Sequence, residues 1–176
     1  MPIYIFENHY PHIATSAYVA PTATIIGNVT LGDNSSVWFN CVIRGDCDAI
    51  VIGENTNIQD LTMCHEDYNR PLHIGNGVTI GHRCVIHGCD IEDNCLIGMG
   101  SIVMNGARIG RGSIVAAGSV ILENTEIPPF SLVAGVPGKI KRQFDESVLE
   151  LIKLPSDDYL KRGMDYGSDK FKNFRL

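Results

Sequence analysis

The sequence has few of the features that mark a protein for export, for a membrane or for nucleic acid. The first residues, MPIYIFENHYPHI, contain no basic segment followed by an apolar run, and no apolar stretch approaches the ~20 residues that a spanning helix needs. Positive charge is also scarce, because 14 Lys and Arg occur with 20 Asp and Glu, for a net charge of -6 at pH 7. We therefore expect a cytoplasmic protein with neither a membrane nor a nucleic acid partner, which leaves small molecules and proteins.

Disulfides are not expected either. The chain has six cysteines, but without an export signal they are expected to be reduced thiols. With 176 residues and 44% hydrophobic content, the chain is long enough to bury one substantial core.

A repeat of six residues runs through most of the chain. Its mark is a large apolar residue in each unit, with longer gaps before Ile52 and Ile74 and a shorter one before Ile91. The positions are Val19, Ile25, Leu31, Val37, Ile43, Ile52, Ile58, Cys64, Ile74, Ile80, Ile86, Ile91, Ile97, Val103, Ile109, Val115, Ile121, Ile127 and Val133.

Each unit has the pattern of a short strand followed by a corner. Four residues after the aliphatic position the chain usually has a small or β-branched residue, among them Cys41, Cys84 and Cys95, which we expect to pack inside. Glycine or asparagine often follows and suits a tight turn. Such units cannot bury themselves alone, so the repeat predicts an all-β fold, a parallel β-helix with three units per coil. About six coils at ~4.8 Å give a prism roughly 30 Å tall.

The repeat ends after AGVPGKIKR, and helical signals follow. Asp145 is a candidate cap for a helix through Lys153, Pro155 is expected to break it, and Ser156 is a candidate cap for a second helix. The sequence therefore predicts a β-helix domain with its lead-in over residues 1–142 and an α-helical tail over residues 143–176 that packs on the prism.

The phase of the repeat divides the polar residues between two faces of this prism. Arg44, His65 and His87 each come one residue after the aliphatic position on one face, in three successive coils. We expect them to form an outward column with about 4.8 Å per step. Asp60 and His82 share a phase on another face. Side chains that point away from two faces of a convex body meet only where another copy of the chain packs alongside.

A trimer would bring the two faces together. If three prisms pack around a threefold axis, His65 and His87 of one subunit and His82 of the next converge on one metal ion. Three neutral imidazoles with a position left for water describe an open zinc site, and the same ligands suit Fe²⁺ or Co²⁺. The phase therefore predicts a homotrimer with a metal ion at each interface. His9, His12 and His73 have no such polar neighbours and are interpreted as ordinary surface or loop residues.

Several segments resemble the gamma-class carbonic anhydrase-like family of the hexapeptide-repeat superfamily. They are VIRGD at 42–46, TNIQD at 56–60, the CHE around His65, VTIGHRCVIHGC at 78–89 and IGMGSIV at 97–103. The resemblance covers residues from about 10 to 142. It implies a left-handed β-helix, a trimer, and His65, His82 and His87 as ligands of an interfacial metal.

The resemblance also implies roles for the polar residues around these ligands. Arg44 and Asp46 match the family's paired charges near the site and the trimer contact. Gln59 matches the residue that positions the attacking hydroxide, and Asn57 and Asp60 match its polar surroundings.

The chain departs from the family beside the metal. The most active members have a long acidic loop there with a proton-transferring glutamate, whereas this chain has only HEDYNRPLH. Glu66 and Asp67 are the nearest substitutes, and Tyr159 on the tail is a further candidate to approach the site.

Three functions remain open at this point. The first is an enzyme, a lyase that reversibly hydrates carbon dioxide to bicarbonate at the metal. The second is acyl transfer or thioester hydrolysis with coenzyme A, which needs a histidine as general base and no metal, although the sequence has no evident pantetheine-clamping insertion. The third is a metal-binding trimeric scaffold without useful turnover.

Overall fold

Short strands joined by corners build most of the protein. The computed structural model describes residues 2–172. In chain order the strands are Ile3–Tyr4 (β1), His12–Ile13 (β2), Tyr18–Val19 (β3), Thr24–Leu31 (β4), Ser36–Val37 (β5), Val42–Ile52 (β6), Asn57–Ile58 (β7), Met63–His65 (β8), Leu72–Ile74 (β9), Thr79–Ile80 (β10), Val85–His87 (β11), Asp90–Ile91 (β12), Leu96–Ile97 (β13), Ile102–Val103 (β14), Arg108–Ile109 (β15), Ile114–Val115 (β16), Val120–Ile121 (β17), Glu126–Ile127 (β18), Ser131–Ala134 (β19) and Lys139–Gln143 (β20), followed by the helix Val148–Tyr166 (α1).

The strands stack in parallel on three faces, as the repeat predicts. Face 1 consists of β1, the first parts of β4 and β6, β8, β11, β14 and β17. Face 2 consists of β2, the second parts of β4 and β6, β9, β12, β15 and β18. Face 3 consists of β3, β5, β7, β10, β13, β16 and β19. The predicted fold class, a left-handed parallel β-helix with a helical tail, is confirmed.

The core is the column of aliphatic residues that the period selects. On face 3, Val19 pairs with Val37, and the same register continues from Ile58 through Ile80 to Val133. The aliphatic and small positions are buried, including five of the six cysteines, and all six thiols are free. A buried column of this kind holds the coils together because no single coil can bury its own apolar face.

The corners explain the asparagines and glycines of the repeat. Many corner residues have left-handed backbone conformations, for example Asn94 at φ 55° and Gly118 at φ 69°. Asparagine and glycine tolerate this region better than other residues do.

The two longer gaps in the repeat have different structures. Extra residues before Ile52 are expected, as an insertion in the repeat, to form a loop, and this expectation is wrong, because β6 continues through the gap as one strand beside β4. The pairing is Gly27 with Gly45 and then Val29 with Ile50, so residues 46–49 form a bulge in β6. The gap before Ile74 is a tight turn closed by a bridge between Asp67 and Arg70.

The prediction of two helices in the tail is also wrong. One helix, α1, runs through Pro155, although proline removes a hydrogen bond and strains the preceding turn. Packing on both sides of Pro155 offsets this strain, since Ile152 and Gly163 are buried and Ser156 Oγ donates to the carbonyl oxygen of Asn55 at 3.1 Å. The segment AGVPGKIKR adds no further coil, because β20 pairs antiparallel with β19. Residues 173–176 of the predicted tail lie outside the described residues.

Within the described residues, no helix is both long enough and apolar enough to span a membrane.

Candidate metal centre

His65 and His87 are neighbours on adjacent strands of face 1. The ladder pairs His87 with His65, so the two side chains emerge in the same direction one coil apart. Their ring centroids are 4.9 Å apart, and Nδ1 of His65 lies 3.0 Å from Nε2 of His87. The outward column that the sequence predicts for these two histidines is present.

Each of these rings is held by an oxygen acceptor at its other nitrogen. Nε2 of His65 lies 3.0 Å from Oδ1 of Asp46, and Nδ1 of His87 lies 2.6 Å from Oδ1 of Asn105. Ligating histidines in metal sites commonly donate their second N–H to a carboxylate or carbonyl in this way. The outer N–H is then on Nε2 in His65 and on Nδ1 in His87, which leaves a lone pair on each of the two facing nitrogens.

Two facing lone pairs fit a cation between them. Neutral nitrogens at 3.0 Å repel each other unless a positive charge lies between them. Two nitrogens bound to one tetrahedral zinc ion at about 2.05 Å are themselves about 3.3 Å apart. The donor set on face 1 therefore fits two ligands of a metal ion with little movement.

His82 lies on face 3 with a comparable arrangement. Its Nδ1 is 3.0 Å from Oδ2 of Asp60, and its Nε2 is 3.4 Å from the hydroxyl of Tyr159 on α1. The ring is partly exposed, and Asp60 fixes the tautomer that leaves the Nε2 lone pair for another partner. Burial raises the pKa of the Tyr159 phenol, with Asp60 adding to the effect, so this hydroxyl stays protonated at neutral pH and can donate a hydrogen bond.

Within the described chain, the residues on face 1 and those on face 3 form two separate groups. His65 and His87 contact Asp46 and Asn105, whereas His82 contacts Asp60 and Tyr159 on the other side of the corner. No hydrogen bond among residues 2–172 joins the two groups.

Arg44 and Asp46 form the ion pair beside His65. Nη1 of Arg44 lies 2.7 Å and 2.5 Å from the two carboxylate oxygens of Asp46. Burial would by itself raise the pKa of Asp46, but the hydrogen bonds from Arg44 and His65 outweigh it and lower this pKa. Asp46 therefore stays ionised and holds both partners. The bulge in β6 brings it there.

Gln59 and Asn57 belong to a buried chain of amides on face 3. Nε2 of Gln59 donates to Oδ1 of Asn57 at 3.2 Å, and Nδ2 of Asn57 donates to the hydroxyl of Thr79 at 2.9 Å. Both amides are nearly inaccessible. With its N–H donor engaged in this way, Gln59 keeps its carbonyl oxygen for a ligand.

Glu66 occupies a different environment from the exposed loop position that its sequence context indicates. Its side chain is fully buried, and Oε1 accepts a hydrogen bond from the backbone N–H of Cys47 at 3.1 Å. Oε2 accepts none from the described residues and lies 3.9 Å from Nε2 of His65. Asp67, by contrast, is exposed and accepts a hydrogen bond from Nδ2 of Asn105 at 2.7 Å.

The corners beside Asp60 and His82 have unusual backbone conformations. Leu61 has φ 64° and Arg83 has φ 60°, at corners where other coils have Asn40 or Gly100. The left-handed region costs such side chains about 1 kcal/mol or more. Strain of this kind is concentrated at functional sites, and here it lies next to the pair on face 3.

An apolar column lies beside the histidines on face 1, which sequence reasoning missed. Val85 and Ile102 are each 37% exposed, which is high for large aliphatic residues in such a ladder. The column is Val42, Met63, Val85, Ile102 and Val120. The equivalent column on face 2 is Thr30, Val51, His73, Asp90, Arg108 and Glu126. The signal was present in the sequence, because these residues directly precede the aliphatic positions of each face.

Comparisons with known proteins assign the chain to a family. Residues 88–123 match the bacterial transferase hexapeptide model of six repeats, and residues 71–104 match the hexapeptide repeat of succinyl-transferase. A carbonic anhydrase of Geobacillus kaustophilus is 41% identical over 164 residues, which cover 93% of this chain and 90% of that protein. The mitochondrial gamma carbonic anhydrase 2 of Arabidopsis thaliana is 36% identical over 170 residues, which cover 93% of this chain and 61% of that protein.

The chain belongs to the gamma carbonic anhydrase family. This confirms the resemblance found in the sequence. Among solved structures, a provisionally named acetyltransferase of Bacillus cereus superposes with a TM-score of 0.91 at 38% identity, covering 94% of this chain and 96% of that one. Membership of the gamma carbonic anhydrase family implies a metal cofactor, and the histidine pair on face 1 has the chemistry to bind one.

Proposed function

We propose that the protein is a metal-dependent lyase that reversibly hydrates carbon dioxide to bicarbonate. The site is formed between subunits of a homotrimer by His65 and His87 of one chain and His82 of the next. The observation that carries this proposal is the hydrogen bonding of the three imidazole rings. Each is held at one nitrogen by an oxygen acceptor and keeps a lone pair on the other nitrogen.

The distribution of apolar surface supports the trimer. Val85 and Ile102 lie beside the histidine pair on face 1 and would remain exposed in a monomer. Packing face 1 of one chain against face 3 of the next buries this column and brings His82 toward the two facing nitrogens. Three copies close such a heterologous contact into a ring.

The three imidazoles would hold the ion and leave room for a water molecule beside it. When bound, the ion would lower the pKa of water from 15.7 toward roughly 7, which makes hydroxide available at neutral pH. Zn²⁺ suits three nitrogen ligands, and Fe²⁺ and Co²⁺ suit them as well.

The surrounding residues of the chain have separable roles in this proposal. Asn57 holds Gln59 in place, and the carbonyl oxygen of Gln59 would accept a hydrogen bond from the attacking water or hydroxide and so orient it. Arg44 offers its remaining N–H groups to the bicarbonate anion while Asp46 fixes its position. Tyr159 approaches His82 from α1 and can donate its O–H to a bound oxygen.

Proton release differs from the pattern of the most active relatives. Glu66 is fully buried, so it lacks the contact with bulk water that a proton shuttle requires. Asp67 is exposed but is held by Asn105. We propose that buffer molecules accept the proton directly, so the hydration rate rises with buffer concentration.

The first experiment compares His87→Ala with His73→Ala. His73 is a matched control because it lies on face 2, where its Nδ1 is 3.0 Å from Asp90. Metal content and carbon dioxide hydration are measured for both variants after loading with Zn²⁺, Fe²⁺ or Co²⁺. We expect His87→Ala to lose hydration together with the metal ion of the site between subunits, and His73→Ala to keep both. Equal hydration by the two variants would refute the site.

A second experiment tests whether the site is shared between chains. His65→Ala and His82→Ala subunits, each inactive alone, are mixed under conditions that allow exchange. Random trimers then contain about one quarter intact sites, because one interface takes His65 and His87 from one parent and His82 from the other. Recovery of about a quarter of wild-type hydration activity is expected. No recovery despite proven exchange would refute the shared site.

Thermal melts, together with the metal and hydration measurements, distinguish the two other functions. Thermal stabilisation by coenzyme A, without stabilisation by any of the three metals, would select the acyl transfer function. Metal binding that is lost in His87→Ala, with no hydration by the wild type at any pH and buffer concentration, would select the scaffold.

A further inference from the structure

A second group of metal-ligating side chains lies at the other nitrogen of the His65 ring. The residues are Asp46, Cys47, His65 and Glu66, whose potential ligand atoms all lie within 4.8 Å of one another. Oδ1 of Asp46 is 3.0 Å from Nε2 of His65, and Sγ of Cys47 is 4.0 Å from the same oxygen. All four donors come from one chain, on the bulge of β6 and the end of β8.

Glu66 indicates that this group has an unfilled coordination position. Its carboxylate is fully buried, and Oε2 accepts no hydrogen bond from the described residues. A buried carboxylate oxygen without a hydrogen-bond donor is energetically costly. The atom is not isolated from the group, because it points toward Nε2 of His65 at 3.9 Å. A cation between Oε2, Nε2 and the neighbouring donors would satisfy it.

Donor type, spacing and charge agree with a divalent cation. Ligands at about 2.0–2.3 Å from a tetrahedral ion lie about 3.3–3.7 Å from each other. Three donor pairs here are 3.0, 3.9 and 4.0 Å apart and all lie within 4.8 Å, so side-chain shifts of about 1 Å bring the four donors to that spacing. Two carboxylates and a thiolate bring three negative charges. Arg44 and a dication together balance them. Arg44 can keep its bond to one oxygen of Asp46 while the other oxygen binds the ion.

We propose that Asp46, Cys47, His65 and Glu66 form a second metal site within each chain, for a borderline-soft divalent cation such as Zn²⁺ or Cd²⁺. Four protein donors fill a tetrahedron, so the site has no position for water and is not itself catalytic. It binds without a partner subunit. Binding through Nε2 of His65 displaces the N–H that this nitrogen donates to Asp46, so the proton moves to Nδ1 or is released to water. Because the site between subunits uses Nδ1, the two sites compete for this imidazole.

This inference does not rest on the proposed function and is tested where the shared site has been removed. The variant His82→Ala/His87→Ala keeps only one of the three interfacial ligands. Co²⁺ is the probe, because a cobalt ion bound by sulfur shows a thiolate-to-cobalt charge-transfer absorption that nitrogen and oxygen ligands do not give. We expect about one Co²⁺ per chain with this absorption.

Two further substitutions in that background identify the ligands. Cys47→Ser should abolish the charge-transfer absorption, and Glu66→Gln should weaken Co²⁺ binding by about tenfold or more. Glu126→Gln, an exposed carboxylate on face 2, is the matched control and should change neither. Thermal melts show that each variant is folded.

The inference is overturned if the double variant binds no Co²⁺, or binds it with an absorption that survives Cys47→Ser. If the double variant binds no Co²⁺ but the wild-type protein still binds one ion per chain, the second site is refuted while the three-histidine site is supported. The failure of this inference and the failure of the proposed function are therefore distinguishable.

Discussion

Oδ1 of Asn105 lies 2.6 Å from Nδ1 of His87, so a side-chain amide rather than a carboxylate sets the tautomer of this imidazole. Asp67 in turn accepts a hydrogen bond from Nδ2 of the same amide. This second contact keeps the carbonyl oxygen, and not the NH₂ group, turned toward His87. The orientation of the His87 ring thus depends on a residue in the next coil.

We predict that Asn105→Ala weakens metal binding by about 10–100-fold, because His87 loses the acceptor that fixes its tautomer. The measurement is competition with a chelator of known affinity. Gln143→Ala is the control, since it removes an amide that donates to Ser131 Oγ on β19 instead of holding a histidine. Unchanged metal affinity in Asn105→Ala would show that His87 needs no such support.

The apolar column on face 1 makes a second prediction. Ile102→Glu should dissociate the trimer, because a carboxylate would be desolvated in the middle of an apolar contact. Val51→Glu is a closely matched control, since Val51 is 38% exposed and Ile102 is 37% exposed, but Val51 lies on face 2. Light scattering after size exclusion measures the mass of each. Trimeric Ile102→Glu, or monomeric Val51→Glu, would contradict the proposed arrangement.

Much of the fold and part of the site could be predicted from the sequence because they depend on the period and the phase of the repeat. The side-chain direction in a strand alternates at a fixed period, and a coil has three units. The phase alone therefore places His65 and His87 in adjacent strands of one face, where the structure pairs them. The same phase separates His82 onto face 3.

The features that sequence reasoning missed depend on tertiary contacts. The bulge of β6, which brings Asp46 to His65, arises because extra residues join the pairing with β4 instead of leaving it. Glu66 is buried by that bulge, through its bond to the N–H of Cys47. Pro155 remains inside α1 because the helix is docked on both sides of it. No local signal specifies these contacts.

The buried thiols predict a loss of stability at alkaline pH. Burial raises the pKa of Cys41 and of Cys95 to about 12, and that of Cys84 to about 11. In the folded state these thiols have pKa values above that of a thiol in the unfolded chain. The stability that depends on their protonated form is therefore complete below the unfolded-state pKa and is lost as the pH rises from there through the folded-state pKa. Each thiol then removes about 1.4 kcal/mol per pH unit above about pH 9.

This alkaline dependence can be assigned to single residues. Cys95→Ala lacks one of the buried thiols, so its free energy of unfolding should fall less steeply between about pH 9 and pH 11 than that of the wild type, by about one proton. Denaturant titrations at several pH values measure both slopes, and comparison of the two proteins cancels the titration of lysines and tyrosines. Parallel slopes would show that Cys95 does not ionise differently in the two states.

Pro155→Ala is predicted to stabilise the protein. Proline at this position has no N–H to donate to the carbonyl of Leu151, and its ring crowds that carbonyl, whereas alanine restores the helical hydrogen bond. Interior proline costs about 3 kcal/mol relative to alanine, so we expect a gain of about 1–3 kcal/mol in urea unfolding at fixed protein concentration. Leu154→Ala, at a neighbouring position that is 65% exposed, should change stability by no more than about 0.5 kcal/mol. A loss of stability in Pro155→Ala would mean that the proline ring itself packs against the prism and holds Tyr159 near His82, in which case the same variant would also lose activity.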